Sequence, residues 1–408
     1  MADVAIIGAG AAGLMAASLL AQAGISCDLY EKKDRCGLKI GITGKGRCNL
    51  TNACDADRFR SQIMNGERFL FSALSRYDST WLMNYFTSRG VPLKIERGER
   101  VFPVSDRALD IVSALLKACP DVQVSRRREE VTDLVMRDGF DVFTCKGQSH
   151  YNKVLLATGG LSYPQTGSTG DGYRFAQQLG HSVVEPRPSL IGLTCLGDEC
   201  SAMSGLSLKN VTLTLMNEKG KKLYSDLGEA LFTHFGISGP LALTASAYIA
   251  HKRPREVKVV IDLKPGLSMD ILNQRLLRDF SAQKNKSFKN CLGQLLPASV
   301  IPVMVARSGI DPDKQVNAVT RAERERLCEL IKKFSFAVTG TRPIEEAVVT
   351  AGGVSLKEID PRTMESKIVP GLYFAGEIMD IDALTGGFNL QLAFSTAAAA
   401  AEAMINGG

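Results

Sequence analysis

The first thirty residues alternate between short apolar runs and glycines. Residues 3–7 (DVAII) have the length and composition of a strand buried inside a parallel sheet. The glycine-rich segment GAGAAG (8–13) follows directly, and LMAASLLAQAG (14–24) is apolar enough for a buried helix. A second apolar run, SCDLYE (26–31), ends at Glu31. The pattern predicts a strand, a tight turn, a helix and a second strand.

The same kind of apolar run returns twice, much later in the chain. KVLLATGG (153–160) predicts a strand that enters a Thr-Gly-Gly turn, and GLYFAGE (371–377) predicts a strand that ends in a glycine and an acid. The second of these leads through MDIDALTGGFNLQ to a predicted helix, LAFSTAAAAAEAM (392–404). We therefore expect an α/β domain whose sheet is completed by distant parts of the chain.

Between these parts, the pattern changes to the period of two that half-buried strands show. Pro186 and Pro188 predict a break after the strand-like segment HSVVEP. SLKNVTLTLMNEKGKKLYS (207–225) then predicts a β-hairpin that turns at residues 218–220, and REVKVVIDL (255–263) predicts another strand.

A helical period follows over residues 268–336. SMDILNQRLLRDF begins with a serine suited to cap a helix, and RAERERLCELIKKF is amphipathic and heavily charged. EEAVVTAGGVSLKEI (345–359) then returns the chain to the first domain. The sequence therefore predicts an insert over about residues 190–345.

The glycines of GAGAAG have the spacing of a dinucleotide-binding turn. Gly8 allows the tight turn, Gly10 lets the backbone approach a pyrophosphate, and Gly13 lets the helix and strand pack closely. The helix N-terminus offers free N–H groups to the phosphates, and Glu31 is placed to accept hydrogen bonds from the adenosine ribose. This turn serves NAD and FAD alike, so the cofactor stays open at this point.

The two late strands favour FAD over NAD. They supply another strand end and another helix N-terminus more than 350 residues after the glycine turn, and such a return can enclose a long ligand. FAD places its flavin far from its adenine, whereas NAD-dependent dehydrogenases rarely need this closure. Each late segment taken alone is equally typical of a buried strand in any α/β protein.

The segment GITGKGRCNLTN (41–52) could be a metal site, a redox cysteine site, a phosphate loop or a surface loop. A metal site is disfavoured because Cys48 and Cys54 have no His or Cys partner at ligand spacing. The cysteine pair with the CxxxxC spacing of flavin disulfide reductases is Cys195 and Cys200, much too late in the chain. We therefore interpret Cys48 as a packing residue rather than a catalytic thiol.

A phosphate-and-flavin loop explains more of this segment. Gly44 and Gly46 would let the backbone run close to a cofactor. Lys45 and Arg47 would place positive charge near the pyrophosphate or the N1–C2=O edge of the flavin, and Asn49 would supply an amide donor and acceptor. A solvated glycine loop remains the alternative.

Composition narrows the possible functions. The 408 residues are 45% hydrophobic and 23% charged, which is typical of a soluble globular protein of two or three domains. The net charge of +6 is spread along the chain without a stripe of cations and aromatics, so we expect no nucleic-acid partner.

Ten irregularly spaced cysteines predict reduced thiols. The N-terminus lacks a basic n-region and the alanine run 397–401 is too short to span a bilayer, so we expect a cytoplasmic protein without membrane association.

Four segments together resemble a known family. GAGAAG with Glu31, TGKGRCNLTN (43–52), FTHFGISGP (232–240) and AGEIMDIDALTGGFNLQLAFSTA (375–397) are similar to the aminoacetone-oxidase/BaiN-like family of FAD-binding NAD(P)/FAD-dependent oxidoreductases. The resemblance covers essentially the whole chain and implies non-covalent FAD. It implies an α/β fold with a Rossmann-like FAD-binding domain in two segments (1–189 and 346–408), an inserted β-barrel-like domain (190–267 and 333–345) and a small helical subdomain (268–332).

The residue arguments and the resemblance together give one set of predicted cofactor-binding residues, and no metal ligands. Within it, Glu377 and Asp382 are expected near the ribityl–phosphate region, and the helix N-terminus at GGFNLQ near the flavin N1–C2=O edge. The set is Gly8, Gly10, Ala11, Ala12, Gly13, Glu31, Lys32, Lys39, Gly44, Lys45, Gly46, Arg47, Cys48, Asn49, Val131, Ala157, Thr158, Gly159, Gly376, Glu377, Asp382, Gly387, Asn389, Leu390 and Gln391.

The expected activity is hydride transfer between flavin N5 and a small organic substrate. Members of the family act on aminoacetone-like amines or on steroid or bile-acid double bonds, so both amine oxidation and carbon–carbon double-bond reduction are candidates. NAD(P)H is a candidate electron donor. The alternatives are an FAD-binding protein serving RNA modification or assembly, and an NAD-only dehydrogenase.

His234, on a glycine-flanked turn, is a candidate substrate contact or proton donor, although a turn histidine bonded to backbone fits equally. The oligomeric state is open.

Overall fold

The computed structural model describes residues 2–407, which fall into two compact units. The first unit comprises residues up to 189 together with those from 343 onwards, and the inserted unit comprises residues 190–342. Each unit has its own cluster of buried apolar side chains. The finer division of the insert into β-rich and helical parts stays a prediction.

The helices and strands are numbered in chain order. The first segment of the first unit contains β1 (Val4–Ile7), α1 (Ala11–Gln22), β2 (Cys27–Tyr30), α2 (Leu38–Ile42), β3 (Thr51–Asn52), α3 (Ala56–Ser61), β4 (Ile63–Asn65), α4 (Glu67–Arg76), α5 (Ser79–Thr87), β5 (Leu93–Glu96), β6 (Arg100–Pro103), α6 (Ala108–Lys117), β7 (Val124–Arg127), β8 (Val131–Arg137), β9 (Gly139–Thr144), β10 (Gly147–Tyr151), β11 (Lys153–Leu156), α7 (Asp171–Gln178) and β12 (Val183–Ser189).

The rest of the chain continues this numbering. The inserted unit contains β13 (Leu193–Cys195), α8 (Glu199–Ala202), β14 (Ser207–Asn217), β15 (Lys222–Thr233), β16 (Gly236–Ser238), α9 (Pro240–Lys252), β17 (Val257–Asp262), α10 (Met269–Ala282), α11 (Ile301–Ser308), α12 (Arg321–Lys332) and β18 (Phe334–Thr341). The chain returns to the first unit with β19 (Val349–Val354), β20 (Leu372–Phe374), β21 (Asp382–Ala383) and α13 (Phe388–Asn406).

A five-stranded parallel sheet forms the centre of the first unit, in the order β20-β11-β1-β2-β7. The residues of β1, β2 and β20 are all buried, as expected for strands covered on both faces. Strand β1 lies between β2 and β11, and β20 pairs with the other edge of β11. The predicted strands at 3–7, 26–31, 153–160 and 371–377 are therefore confirmed as one sheet. All their carboxyl ends point to the same edge.

The inserted unit is built on a closed six-stranded antiparallel barrel, in the order β13-β16-β15-β14-β17-β18. The predicted hairpin is confirmed as β14 and β15, and the predicted strand at 255–263 is β17. Along β14, Leu213 and Leu215 are buried, whereas Thr212 and Thr214, which alternate with them, are not, so apolar and polar positions alternate across the barrel wall. The α/β fold with an inserted barrel is thus confirmed.

The predicted break at Pro186 and Pro188 falls slightly early, because the strand continues to Ser189, where this segment of the first unit ends. Strand β12 runs through both prolines to Ser189 and pairs with β19, with an irregular register between Val184 and Arg187. The β12–β19 pair forms a two-stranded sheet, so both are edge strands, and a proline that cannot donate a ladder hydrogen bond is tolerated there.

The helical predictions are confirmed with small shifts at their ends. Ser268 caps α10 by accepting the Ile271 N–H at 3.3 Å, and Thr320 with Glu323 forms a capping box at α12. The predicted helix at the end of this region stops at Lys332, because Phe334 already begins β18. Among residues 2–407, the structure contains no helix long and apolar enough to cross a membrane.

Candidate active site

Three glycines after β1 have different surroundings. Gly8 has a φ of +103°, and a Cβ there would lie 2.6 Å from the Ala157 carbonyl oxygen at the end of β11. A Cβ on Gly13 would lie 1.8 Å from the Gly8 carbonyl oxygen, so α1 can pack this closely only with glycine. Gly10 has an ordinary φ of −82°, and no protein atom lies within 4 Å of a Cβ built there. The fold requires glycine at positions 8 and 13 but leaves open space at position 10.

The N-terminus of α1 opens onto this space. Gly10 is the N-cap residue, no side chain among the described residues caps the helix, and no acidic residue lies in its first turn. The first-turn N–H groups, which include those of Ala11 and Ala12, are therefore available together with the positive end of the helix dipole. An anionic pyrophosphate fits this arrangement, and it explains why position 10 carries no side chain.

Glu31 follows β2, and backbone N–H groups hold its carboxylate. Oε2 accepts the Ala9 N–H at 3.1 Å, and Oε1 accepts the Lys33 N–H at 2.9 Å. Burial raises the pKa of Glu31, although these two hydrogen bonds oppose the rise. Each carboxylate oxygen keeps further acceptor capacity, so the group can still accept a hydrogen bond from a ribose hydroxyl.

Two more predicted residues lie around this edge of the sheet. Lys32 forms an ion pair with Asp171 and a hydrogen bond with Thr169, which ties the loop after β2 to the start of α7. Val131 is buried at the first position of β8, in a three-stranded sheet with β9 and β10. The side chain of Lys32 is therefore already engaged by the protein.

A partly buried ion pair joins α2 to the segment after β20. Lys39 Nζ lies 2.6 Å from Glu377 Oε2 and also donates to Ser162 Oγ at 2.6 Å. Glu377 Oε1 accepts the Ser162 hydroxyl and the Thr350 N–H, both at 2.8 Å. Burial by itself would raise the pKa of Glu377, but the Lys39 ammonium and these hydrogen bonds outweigh it and lower the pKa. Four separate chain segments are thereby fixed around one carboxylate.

The turn after β11 packs tightly on its neighbours. Gly159 has a φ of +74°, and a Cβ there would lie 2.8 Å from Ser168 Oγ. A Cβ on Gly172 would lie 2.1 Å from Thr158 Oγ1, so the threonine hydroxyl sits against the start of α7. Ala157 is buried at the end of β11, beside the Gly8 turn.

The backbone of the loop at 43–49 is left-handed at four positions. Gly44, Lys45, Gly46 and Cys48 have φ values of +56°, +60°, +84° and +60°. Positive φ is uncommon for a residue with a Cβ, so Lys45 and Cys48 store local strain that the surrounding structure must hold. Lys45 is exposed, and its ammonium has no partner among the described residues. It is the cation of this loop that stays available to a ligand.

Arg47 is engaged by the protein. Its guanidinium pairs with Glu96, donates to Asp106 Oδ1 at 2.7 Å, and lies 4.3 Å from the centre of the Phe102 ring. These partners come from β5, β6 and the turn after β6. Arg47 therefore ties the strained loop to the β5–β6 hairpin, and together with Lys94 it balances the two carboxylates.

Cys48 and Asn49 turn towards the interior. The Cys48 side chain is fully buried, and burial raises the pKa of its thiol to about 12. A hydrogen bond with Thr43 lowers the pKa by a smaller amount. The thiol is therefore protonated near neutral pH and is not a nucleophile. Asn49 Oδ1 is buried and has no hydrogen-bond partner among the described residues.

The segments RCNLTN and TGGFNLQ meet in the structure. Thr51 Oγ1 donates to Gln391 Oε1 at 2.6 Å, and Asn52 Nδ2 donates to the Gly386 carbonyl at 3.1 Å. Gly387 has a φ of +99°, and a Cβ there would lie 2.3 Å from the Thr51 carbonyl oxygen. Gln391 Nε2 also donates to the Tyr77 carbonyl at 2.9 Å, so its buried amide is fully used by the protein.

The residues before α13 are held by their own side chains. Asn389 Oδ1 accepts the Ala383 N–H at 2.9 Å, and its Nδ2 donates to the Ala383 carbonyl at 2.7 Å. Asp382 is buried and accepts the Ser189 hydroxyl at 3.1 Å. Leu390 is half-buried in the first turn of α13, which begins at Phe388, one turn earlier than the predicted start at 392.

Gly376 connects the two ends of the first unit. A Cβ there would lie 3.2 Å from the Ala12 Cβ of α1 and 3.6 Å from the Ala393 Cβ of α13. Its N–H donates to Thr396 Oγ1 at 3.0 Å. The beginnings of α1 and α13 therefore approach each other across this glycine, and the end of the chain closes on the phosphate turn as a long dinucleotide requires.

His234 belongs to the inserted unit. It is exposed at the turn between β15 and β16, edge-on to the Phe235 ring at 5.2 Å. Its ring has no hydrogen-bond partner among residues 2–407, so the structure does not show the backbone-bonded alternative, and a role as substrate contact or proton donor stays a prediction.

Ser162 and Thr350 are two site residues that the sequence arguments missed. Both hold Glu377, and each lies close to a glycine pair, Ser162 just after Gly159-Gly160 and Thr350 just before Gly352-Gly353. Asp171, the partner of Lys32, was missed in the same way. The glycine pairs indicate turns beside Ser162 and Thr350, but the local sequence does not show their partners, because the three-dimensional fold brings them together.

Open space lies in front of Gly10, and a segment from the far end of the chain closes it. This arrangement is typical of FAD-dependent oxidoreductases, and this protein is an FAD-dependent oxidoreductase. The chain belongs to the HI0933-like family, since residues 2–403 match the family described as HI0933-like protein Rossmann domain. The family resemblance noted from the motifs is thereby confirmed.

Three comparisons describe its relatives. The chain is 34% identical to the "Ribosomal RNA dihydrouridine synthase" of Haemophilus influenzae, over 97% of this chain and 96% of that protein. It is 28% identical to the "3-dehydro-bile acid delta(4,6)-reductase" of Clostridium scindens, over 97% of each chain. The solved structure of 3-ketosteroid delta1-dehydrogenase from Sterolibacterium denitrificans superposes with a TM-score of 0.53 at 14% identity, covering 100% of this chain and 99% of that chain, and so shares the fold.

Proposed function

We propose that the protein reduces the C5=C6 double bond of uridine in ribosomal RNA. The observation that carries this proposal is the 34% identity, over almost the full length of both chains, to a protein named as a ribosomal RNA dihydrouridine synthase. Of the two activities expected from the motifs, double-bond reduction is thus preferred to amine oxidation.

The two named relatives share one reaction type. The C5=C6 bond of uracil is conjugated with its C4 carbonyl, and a delta-4,6 double bond of a 3-oxo steroid is conjugated with the C3 carbonyl. In both, the carbon β to the carbonyl can accept a hydride while the α carbon accepts a proton. Bound FAD, once reduced by two electrons, would supply the hydride from its N5 atom.

The chain's own groups have three tasks in this reaction. The N-terminus of α1 and Glu31 would hold the pyrophosphate and the ribose of the cofactor. The exposed Lys45 and the N-terminus of α13 would stabilise negative charge on the reduced cofactor. His234 is the proposed donor of the proton to the α carbon, because it is an exposed histidine on a turn.

The distribution of charge supports an RNA substrate. The inserted unit, residues 190–342, holds 22 Lys and Arg residues against 14 Asp and Glu residues, whereas the rest of the chain holds 27 against 29. The sequence expectation of no nucleic-acid partner considered the chain as a whole, where this asymmetry between the units is averaged out. A cationic unit attracts a polyanion.

The reaction needs two electrons from outside the protein, and we propose NAD(P)H as the donor. A small unsaturated ketone is the second candidate substrate, because one relative is named for a bile-acid reductase activity. The two candidates differ in the molecule that reoxidises the reduced protein.

The test uses the purified holoprotein under anaerobic conditions. The flavin is first reduced with NAD(P)H, and either protein-free ribosomal RNA from a strain lacking the gene or an unsaturated 3-oxo steroid is then added. We expect the RNA to restore the oxidised flavin spectrum and to gain dihydrouridine, measured by nucleoside mass spectrometry, in equal amounts. Reoxidation by the steroid with unchanged RNA would overturn the RNA proposal and favour the second candidate. The Gly10→Val variant, which we expect to lack FAD, controls for flavin-independent changes in the RNA.

A further inference from the structure

Cations collect at one end of the inserted barrel, which we call the basic end and define as residues 217–222 and 252–258. Met216 of β14 lies opposite Lys222 of β15 and opposite Lys258 of β17. Because Leu215 points into the barrel, Met216 and the two lysines face outward, and both lysines are exposed. The backbones of the two lysines are two strand spacings apart, or about 10 Å.

The hairpin turn extends this row. Asn217 Oδ1 accepts the backbone N–H of Lys219 at 3.1 Å and that of Lys221 at 2.8 Å, so the turn is held in one shape with both lysine side chains exposed. Asn217 lies opposite Val257 at the start of β17. The exposed Arg255, two residues earlier, therefore lies beside the turn.

The end of α9 completes the basic end. The Tyr248 ring stacks on the Tyr224 ring at 5.3 Å, and Lys252 Nζ lies 5.2 Å from the centre of the Tyr248 ring. Tyr224 lies opposite Leu215, next to the row that contains Lys222. Arg253 follows as the exposed C-cap of α9, so these cations join those of the hairpin.

The cations of the basic end have no carboxylate partner in the part of the chain that the structure describes. The basic end contains seven Lys and Arg residues but only two acidic residues, Glu218 and Glu256. None of the seven cations forms an ion pair among the described residues. Elsewhere in the inserted unit, Arg307 pairs with Glu199 and Lys332 pairs with Asp262. A set of exposed and mutually repelling cations lowers stability unless an external anion binds them, so the charge here points to a partner.

A nucleic acid fits this surface better than a membrane does. None of the large apolar side chains that are exposed in the described structure lies within residues 217–222 or 252–258, so nothing here can insert into a lipid layer. The two tyrosines pack on each other and against the barrel core, so the exposed lysine and arginine side chains carry this surface, and such side chains are the usual contacts to a phosphate backbone.

We propose that the basic end binds the phosphate backbone of the RNA substrate. The proposal rests on the proposed function, because it takes ribosomal RNA as that substrate. It adds a binding surface in the inserted unit that acts on affinity rather than on the chemistry of the flavin.

The experiment compares two holoprotein variants that each lose three positive charges. The test variant is Lys222→Gln/Arg255→Gln/Lys258→Gln in the basic end. The matched control is Arg278→Gln/Lys284→Gln/Arg326→Gln, three exposed cations of the same unit that have no partner among the described residues. The probe is fluorescently labelled, protein-free ribosomal RNA, and the dissociation constant is measured by anisotropy over a series of salt concentrations. Flavin content and NAD(P)H reduction check that each variant is intact.

We expect wild type to bind with a steep salt dependence and the test variant to bind at least tenfold more weakly at moderate salt. Each lost phosphate contact should reduce the slope of log K against log salt by about 0.7–0.9, so the slope should fall by about 2–3 in the test variant and by less than 1 in the control. Equal losses in the two variants, or no RNA binding by wild type, would overturn the proposal. Binding to anionic lipid vesicles but not to RNA would also overturn it.

Failure of the proposed function gives a different result. If wild type binds RNA through the basic end but forms no dihydrouridine after reduction with NAD(P)H, the proposed RNA-binding surface is supported and the proposed uridine reduction is wrong. If dihydrouridine forms and the test variant binds RNA as wild type does, the proposed uridine reduction is supported and the proposed RNA-binding role of the basic end is wrong.

Discussion

Thr51 Oγ1 donates a hydrogen bond of 2.6 Å to Gln391 Oε1, across 340 residues of sequence. Both side chains are completely buried, and Gln391 also bonds the Tyr77 carbonyl and Ser395. The bond joins β3, which follows the strained glycine loop, to the first turn of α13. The two segments expected to line the flavin are therefore fixed to each other by protein contacts alone.

Thr51→Val should destabilise the first unit by about 1–3 kcal/mol, because it leaves the buried Gln391 Oε1 without its donor while preserving shape. Chemical unfolding of the flavin-free protein measures the change. Thr132→Val is the matched control, since Thr132 is exposed and bonds the Phe143 carbonyl at 3.2 Å; we expect a change within about 0.5 kcal/mol. Equal effects of the two substitutions would show that the Thr51–Gln391 bond is not a stabilising contact.

Gly10→Val and Gly13→Ala should fail in different ways. At position 10 there is open space and an ordinary φ, so the variant should keep wild-type stability without flavin but lose FAD. At position 13 a Cβ would overlap the Gly8 carbonyl oxygen, so the variant should lose at least about 1–3 kcal/mol of stability before any ligand is added. Flavin-to-protein ratio and unfolding of the flavin-free forms separate the two effects. Normal flavin content in Gly10→Val would contradict the assignment of the phosphate site.

Lys39→Met should cost about 1–3 kcal/mol, because it leaves the partly buried Glu377 carboxylate without its cation while Ser162 and Thr350 still bond it. In wild type the pKa of Glu377 is lowered, so the pair contributes stability above the unfolded pKa and loses it as the pH falls through the folded pKa. In the variant, burial raises the pKa of Glu377, so protonation at about pH 5 should recover part of the loss.

The unfolding free energy of flavin-free protein at about pH 5 and pH 7 measures this difference. Lys39→Met/Glu377→Gln removes the charge and should recover much of the stability at both pH values. A loss in Lys39→Met that does not change with pH would mean that Glu377 is not the group left uncompensated.

Cys48 should resist alkylation in the native protein. Burial raises the pKa of its thiol to about 12, so almost no reactive thiolate exists at neutral pH. The exposed Cys145 is the internal control and should react readily with iodoacetamide. Peptide mass spectrometry gives both rates, and Cys48→Ala should keep most of the turnover. Rapid modification of Cys48 with loss of activity would make this loop a thiol site.

Part of the site could be predicted because its physical requirements are local. The spacing of Gly8, Gly10 and Gly13 follows from a strand that turns directly into a helix, and Glu31 lies at the end of the next strand. Alternation along residues 207–225 likewise predicted the hairpin, since each strand has one face inside the barrel.

The remaining contacts depend on the tertiary fold. Arg47 was expected to serve the cofactor, but Glu96 and Asp106, which engage it, come from other segments that no local pattern connects to it. Thr350 reaches Glu377 only because β19 returns from the insert beside β12. The surplus of cations in the inserted unit was hidden in the net charge of the whole chain until the two units were separated.

The proposed activity is tested most directly by the dihydrouridine content of ribosomal RNA in a strain that lacks the gene. Nucleoside mass spectrometry of purified ribosomal RNA should show less dihydrouridine than in the parent strain. A plasmid copy of the wild-type gene should restore it, and the Gly10→Val copy, expressed at the same level, should not. Unchanged dihydrouridine in the deletion strain, or full restoration by Gly10→Val, would contradict an FAD-dependent reduction of ribosomal RNA uridine by this protein.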